Sequence, residues 1–226
     1  MLRATSEELL DHDLGTPAEI RASLDDLWQI NRRLGGVSSN LKLLERFFEK
    51  TGRRSVRILD VGAGDARLAR RLRESLAARD IRAEFVALDR RPSHLGNGAS
   101  TGPLPCVAAD VFALPFPDGA FDVVMSNLFF HHFSGEGARE LLRRMAAVAR
   151  EAVLVNDLER HWMPYLFIRS ALPFTRGRIT RHDGPASVRQ AYTKSELEAL
   201  ARDAGFTHYE TRRLRPFRLG LSIWKT

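Results

Sequence analysis

Short apolar runs that close on Asp, Asn or Gly recur along this chain of 226 residues, and stretches of helical period separate them. VRILDVG (56–62), EFVALD (84–89), PCVAAD (105–110), FDVVMSN (121–127) and EAVLVND (151–157) each read as a short buried strand. DARLARRLRESLAAR follows the first run, and EGARELLRRMAAVA (136–149) precedes the fifth, both with apolar residues at helical spacing. Strands that alternate with helices predict a parallel sheet covered on both faces, which is a doubly wound α/β fold. Two further runs, HYETRRL (208–214) and FRLGLSIW (217–224), flank Arg215-Pro216 and predict an antiparallel hairpin.

Helices are expected outside this frame as well. Residues 17–34 carry Ile20, Leu24, Leu27, Ile30 and Leu34 on one face, begin at Pro17 and stop at Gly35-Gly36. Residues 38–50 repeat the pattern with Leu41, Leu44, Phe47 and Phe48. The apolar stretch 162–172, with Trp162, Met163, Tyr165 and Phe167, reads as a helix that is either core or pocket wall. A polar loop is expected over 175–188, and Thr193 with Glu196 forms a capping box for a helix at 194–204. The layout predicts one domain over 1–226: an N-terminal helical lid (1–50), a binding core (55–157), an insertion on the acceptor side (158–192), and a C-terminal helix with the hairpin (193–226).

Composition narrows the class. With 44% hydrophobic and 28% charged residues the chain reads as an ordinary soluble globular protein, with no membrane span and no signal peptide at its start; the cytoplasm is the expected location. A lone Cys106 rules out a disulfide framework and a cysteine-based zinc site. The net charge of +7 raises a nucleic-acid or acidic partner. Only four of the 35 basic residues are Lys, however, and the cluster Arg53, Arg54, Arg57, Arg67, Arg70, Arg71 and Arg73 alternates with apolar positions as on a solvated helix face. No RNA-binding module or aromatic-interleaved basic stretch is visible, so no nucleic-acid partner is expected.

In a doubly wound sheet, ligands bind beyond the carboxyl ends of the strands. Those ends carry Asp60 through Asp65, then Asp89, Asp110, Asn127 and Asn156-Asp157. Gly62 and Gly64 would let the backbone turn sharply beside a ligand. Asp89, 25 residues after Gly64, stands where such folds place an acid on ribose hydroxyls, and Asp110 ends the next strand within reach of an adenine amino group. The competing readings are strand-end or helix caps. His131 and His132 follow the fourth strand, where a nucleophile would approach, and one of the two could be a packed side chain. His182-Asp183 is either a general base held in one tautomer or a loop hydrogen bond. The spacing of the histidines and acids fits no compact metal motif, and no metal is expected.

These residues together resemble the class I S-adenosylmethionine-dependent methyltransferases. ILDVGAGDARLA (58–69) resembles their first motif, FVALDRR (85–91) their acidic second-strand motif, and AADVFALPFPDGAFDVVMSNLFFHHF (108–133) the segment through their fourth. Ala66 stands where many members carry a third glycine, with little consequence expected. The resemblance implies a Rossmann-like seven-stranded sheet with a reversed last strand and S-adenosylmethionine as cofactor. It further implies that Asp60, Gly62, Ala63 and Gly64 line the methionine part, Asp89 and Arg90 the ribose end, Asp110 and Val111 the adenine, and that Asn127 lies near the methyl. DLERHWMPYLF (157–167) and RHDGPASVRQAYTKSEL (181–197) resemble, more loosely, a bacterial subset acting on polyketide- and quinone-like metabolites. The expectation is therefore O-methylation of a small, largely apolar acceptor, with His131, His132 or His182 as base and Asn31, Arg32, His161 and Asp183 on the acceptor side. The alternatives are an RNA or protein methyltransferase, a nicotinamide-dependent oxidoreductase that shares the glycine turn and the ribose acid, or a non-catalytic scaffold.

Overall fold

The computed structural model describes residues 1–95, 104–172, 175 and 177–225. Seven strands form one sheet: β1 (Ser55–Val61), β2 (Arg82–Asp89), β3 (Cys106–Ala108), β4 (Phe121–Asn127), β5 (Ala149–Leu158), β6 (Tyr209–Leu214) and β7 (Arg218–Trp224). Their order is β3-β2-β1-β4-β5-β7-β6. The first five run parallel, and β7 alone is inserted antiparallel between β5 and β6. This is the expected doubly wound sheet with its reversed last strand. Chain order reverses between β1 and β4, so the carboxyl ends of those two strands flank the crevice where such sheets bind ligands.

The apolar runs are continuous because helices cover both sides of the sheet. All seven residues of β4 and of β7 are buried. One face packs on α5 (Gly135–Val148) and α8 (Lys194–Asp203), through Leu141, Leu142, Met145 and Leu197. The other packs on α2 (Gly36–Thr51) and α3 (Arg67–Ala77), through Leu43, Leu44, Phe47, Leu72 and Leu76. The Thr193–Glu196 capping box forms as expected, and an unanticipated second one, Thr16 with Glu19, starts α1 (Pro17–Arg33). The basic cluster around α3 is largely paired rather than free. Arg53 meets Glu151 at 2.5 Å, Arg67 meets Asp25 at 2.7 Å, and Arg70 is itself buried, donating to the Asp65 carbonyl.

Three expectations fail. The polar stretch 175–188 is mostly helix, α7 (Arg178–Gln190). Its buried residues Ile179, Thr180, Asp183, Val188 and Gln190 share one face, and Ile179 seats on Ile20 and Leu24 of α1. Pro185 reads as a breaker in isolation, but tertiary burial outweighs its local cost. The lid expected over 1–50 divides in two. Residues 1–34 lie over the sheet's ligand-binding end, while α2 is a core helix. Last, α6 (Trp162–Ala171) is a helix, yet Trp162, Met163, Leu166 and Phe167 are neither core nor pocket wall: they face outward.

The division of the N-terminal segment has a measurable consequence. Phe47 has no exposed surface and packs edge-on against Phe48. Phe47→Ala should lower unfolding free energy by about 3–5 kcal/mol in urea titration, as for a core aromatic. A lid residue would cost well under 1 kcal/mol, and that outcome would return α2 to the lid.

Candidate active site

The β1–α3 turn begins where Val61 leaves the sheet. Gly62 takes φ +68°, and a Cβ built on it would lie 2.4 Å from the Phe129 ring. Two requirements meet here, a left-handed backbone and the absence of a side chain. Gly64 is also left-handed (φ +55°), but a Cβ there would meet only Leu24, at 3.6 Å. Ala66 completes the turn at φ +60°. A left-handed alanine costs about 1–2 kcal/mol, and its buried methyl returns about 0.8 kcal/mol, so a glycine there would change little.

The turn forms one wall of a cavity of about 430 Å³. Asp60, Gly62, Ala63, Gly64, Asp89, Arg90, Asp110, Val111 and Asn127 all line it, as do Asn31, His131 and His132. Asp89, at the end of β2, accepts the Gly64 N–H at 2.8 Å and the Arg91 N–H at 2.9 Å and lies 3.4 Å from His94 Nδ1, so it fixes the turn from the cavity wall. Asp110 accepts from the Phe112 N–H and stays exposed. Asp60 is 1% exposed, and its Oδ2 has no hydrogen-bond partner among the described residues. Burial, reinforced by the charge of Asp89, pushes the Asp60 carboxyl up to about 7. An unpaired buried carboxylate on a cavity wall is suited to a cationic ligand group.

The other end of the cavity is a buried polar knot. Asn127 Oδ1 accepts from Asn40 (2.9 Å), Asn156 (3.1 Å) and Arg218 (3.3 Å), while its amide donates to Asn31 at 3.1 Å. Arg218 also donates to Asn31 Oδ1 (3.2 Å) and the Leu34 carbonyl (3.4 Å). No carboxylate among the described residues pairs with it, and burial lowers its pKa to about 10.

Glu8 and Asp11, which sequence reasoning missed, enter from the N-terminal segment. His131 is 2% exposed; its Nδ1 lies 2.7 Å from Asp157 and its Nε2 3.5 Å from Glu8. Burial alone would lower its pKa, but the two carboxylates carry it up to about 10, so His131 is a cation at neutral pH. Burial opposes ionisation of Glu8, yet that carboxyl stays below its usual range through His131, His132 and Ser187. His132, half-buried, places Nδ1 2.8 Å from Asp11. The rest of the wall is apolar, with Leu24, Leu27, Trp28, Ile30, Phe129, Phe133 and Ile168.

Four expected acceptor-side or catalytic residues sit elsewhere. His182 is exposed on α7, outside the cavity. Asp183 does approach it at 2.8 Å, but the same carboxylate accepts the N–H groups of Leu9 and Leu10, so its work is to anchor the N-terminal segment. His161 caps α6 by accepting the Met163 N–H. Arg32 is exposed at the end of α1. Helical phase explains His182 and Arg32, which project from helix sides left over by packing, whereas His161 serves as an N-cap and Asp183 lies on the packed face of α7.

Comparison with known proteins agrees with this geometry. Residues 58–152 match the model of a family described as a methyltransferase domain. Demethylmenaquinone methyltransferase of Thermus thermophilus is 30% identical over 167 residues, covering 67% of this chain and 74% of that protein. Malonyl-[acyl-carrier protein] O-methyltransferase of Halorhodospira halophila is 38% identical over 169 residues, covering 73% of this chain but only 52% of that protein. Among solved structures, a SAM-dependent methyltransferase from Aquifex aeolicus superposes with a TM-score of 0.64 at 16% identity, covering 93% of this chain and 98% of that one. The plantazolicin methyltransferase BpumL, in complex with a monoazolic desmethylPZN analog and SAH, gives 0.62 at 17% identity, covering 92% and 95%. At these identities the structures show a shared fold.

Two predictions follow from the turn and its acid. Gly62→Ala should destabilise by about 2–4 kcal/mol, from backbone strain plus overpacking against Phe129, whereas Gly64→Ala should lose only about 1–2 kcal/mol; equal losses would contradict the Phe129 contact. Asp60 binds its proton more tightly folded than unfolded, so it favours folding fully at low pH and loses that contribution as pH climbs from about 4 through 7. In ligand-free protein Asp60→Asn should therefore unfold later than wild type at pH 8, by an amount on the order of a few kcal/mol, with the gap closing near pH 4. A gap independent of pH would mean the carboxyl is not ionising in a buried site.

Proposed function

This chain belongs to the class I S-adenosylmethionine-dependent methyltransferases, and we propose that it methylates a hydroxyl of a small, largely apolar acceptor, with His132 as general base. S-adenosylmethionine, when bound, supplies a methyl group already activated on a sulfonium. The chain's own task is then to hold two reactants in line and to accept a proton.

The lining residues suit that cofactor. In this reading Asp60 takes the ammonium of the methionine part, which answers its unpaired Oδ2, and the turn through Gly62, Ala63 and Gly64 leaves room for it. Asp89 and Arg90 serve the ribose end, and Asp110 and Val111 the adenine. Asn127, held by four side chains, marks the methyl end of the cavity.

The observation that carries the acceptor-side reading is the contrast between adjacent histidines. His131 is buried between two carboxylates and already charged, so it has no capacity to accept a proton. His132 lines the cavity, and Asp11 on its Nδ1 selects the tautomer whose Nε2 is basic. The apolar side chains between α1 and the Phe129–Phe133 turn favour an apolar acceptor; of the relatives, one is named for demethylmenaquinone and the other for O-methylation of malonyl-[acyl-carrier protein].

Incubation with methyl-labelled S-adenosylmethionine and a panel of hydroxylated aromatic and acyl compounds tests this, the methylated atom being located by NMR. His132→Gln should lower turnover by about 10²–10⁴-fold with S-adenosylhomocysteine affinity nearly unchanged. Asp11→Asn should reduce turnover less and move the acidic limb of the pH–rate profile, the limb on which a general base gains its proton. Wild-type turnover in His132→Gln would sink the base assignment; label found on carbon, nitrogen or RNA would sink the hydroxyl acceptor.

A further inference from the structure

On α6 the usual amphipathic arrangement is reversed. Trp162, Met163, Leu166 and Phe167 are 58%, 45%, 55% and 42% exposed. They recur at i, i+1, i+4 and i+5, and so share one outward face. The inward face carries buried Pro164 and Ile168, the latter on the cavity wall. Scattered exposed apolar residues are ordinary, but four large ones on one face of a ten-residue helix are a contiguous patch.

The rim of that patch is cationic. Arg169 on α6, Arg181 on α7 and Arg215 in the β6–β7 turn are exposed. The turn touches α6 through Phe217 and Phe167, whose ring centroids lie 6.2 Å apart. It also abuts Gly35, which brings the exposed Arg32 and Arg33 at the end of α1 to the same side. None of these five guanidinium groups has a carboxylate within ion-pair distance among the described residues, whereas Arg212 and Arg213 of neighbouring β6 are paired with Glu210 and Glu159.

We propose that this face docks on an anionic lipid bilayer, with the α6 side chains entering the headgroup boundary and the five arginines meeting lipid phosphates. An apolar row that includes a tryptophan, bordered by guanidinium groups that no described carboxylate neutralises, has the chemistry of an interfacial helix. A second copy of the chain fits less well: a two-fold contact through this face would set the same arginines against one another. Docking here would put the helix that walls the cavity at the membrane surface. The inference stands apart from the choice of acceptor and of base.

Flotation of the full chain with vesicles tests it directly. Binding should be at least about tenfold tighter to phosphatidylcholine vesicles containing phosphatidylglycerol than to phosphatidylcholine alone, and should weaken by a similar factor from low to high salt. The double variant Leu166→Ser, Phe167→Ser should lose about tenfold or more while keeping its urea midpoint; Arg169→Glu with Arg215→Glu, which leaves the apolar face intact, should abolish the preference for anionic vesicles. Absence of vesicle binding, equal binding to neutral vesicles, or lipid-free dimerisation abolished by Leu166→Ser would each overturn the proposal.

Discussion

A guanidinium buried to 1% exposure with no carboxylate on it among the described residues must be met by neutral oxygens, and Arg218 collects them from two separate parts of the chain. It binds Asn127 at the end of β4, Asn31 in the last turns of α1, and the Leu34 carbonyl at the close of that helix. Asn40 of α2 and Asn156 of β5 converge on the same Asn127 oxygen. Removing any member would leave a buried donor or acceptor unmet, which costs more than the bond itself contributes. The knot therefore locks the helices before β1 onto the carboxyl ends of β4 and β5 and the amino end of the antiparallel β7. Without it, α1 has no fixed position from which to wall the cavity.

A second knot, of opposite electrical character, fixes the segment ahead of α1. His131 is held between Asp157 from the sheet and Glu8 from the N-terminal segment, and Glu8 also accepts from Ser187 and Gln190 of α7. Asp183 of α7 takes the N–H groups of Leu9 and Leu10, and Arg91 holds the Asp11 carbonyl. Burying two carboxylates here is tolerable only because the imidazolium lies between them, and the imidazolium persists only because they are there. The raised pKa means that His131 contributes fully below its unfolded value near 6.5 and loses that contribution as pH rises through about 10. Across the neutral range the segment that delivers Asp11 to the cavity stays pinned.

What could be seen in the sequence follows from the range of the forces involved. The strands were visible because burial on both faces writes itself as a short apolar run, and the strand-end residues that line the cavity were visible because they lie within a few positions of those runs. The capping box at Thr193 is likewise a three-residue affair. Glu8 and Asp11 reach His131 and His132 across more than 120 positions, and nothing local marks them. Asp183 shows how a local signal can mislead: beside His182 it resembles the acid of a dyad, but its energy is spent on two distant backbone amides. Helix α7 was hidden for a related reason, since its apolar face is only Ile179 and Val188 and the rest of its buried side is polar. Trp162 to Phe167 invert the rule altogether, with an apolar run that ends outside.

The two histidines after β4 carry the same argument into chemistry. They are identical side chains, consecutive in sequence, with ring centroids 4.2 Å apart, and a single turn from Phe130 to His132 presents both. The backbone makes the difference by aiming one imidazole beneath the N-terminal segment and the other along the cavity wall. Beneath the segment, His131 meets a carboxylate on each nitrogen and is fixed in its charged form, which makes it a structural cation. On the wall, His132 meets its closest carboxylate, Asp11, at Nδ1, and the proposed base rests on that contrast. The fixed cation also helps to position the proposed base, since His131 holds Glu8 and Glu8 lies three residues before Asp11. Environment thus separates, within two residues, an imidazole locked between two carboxylates from one set on the cavity wall.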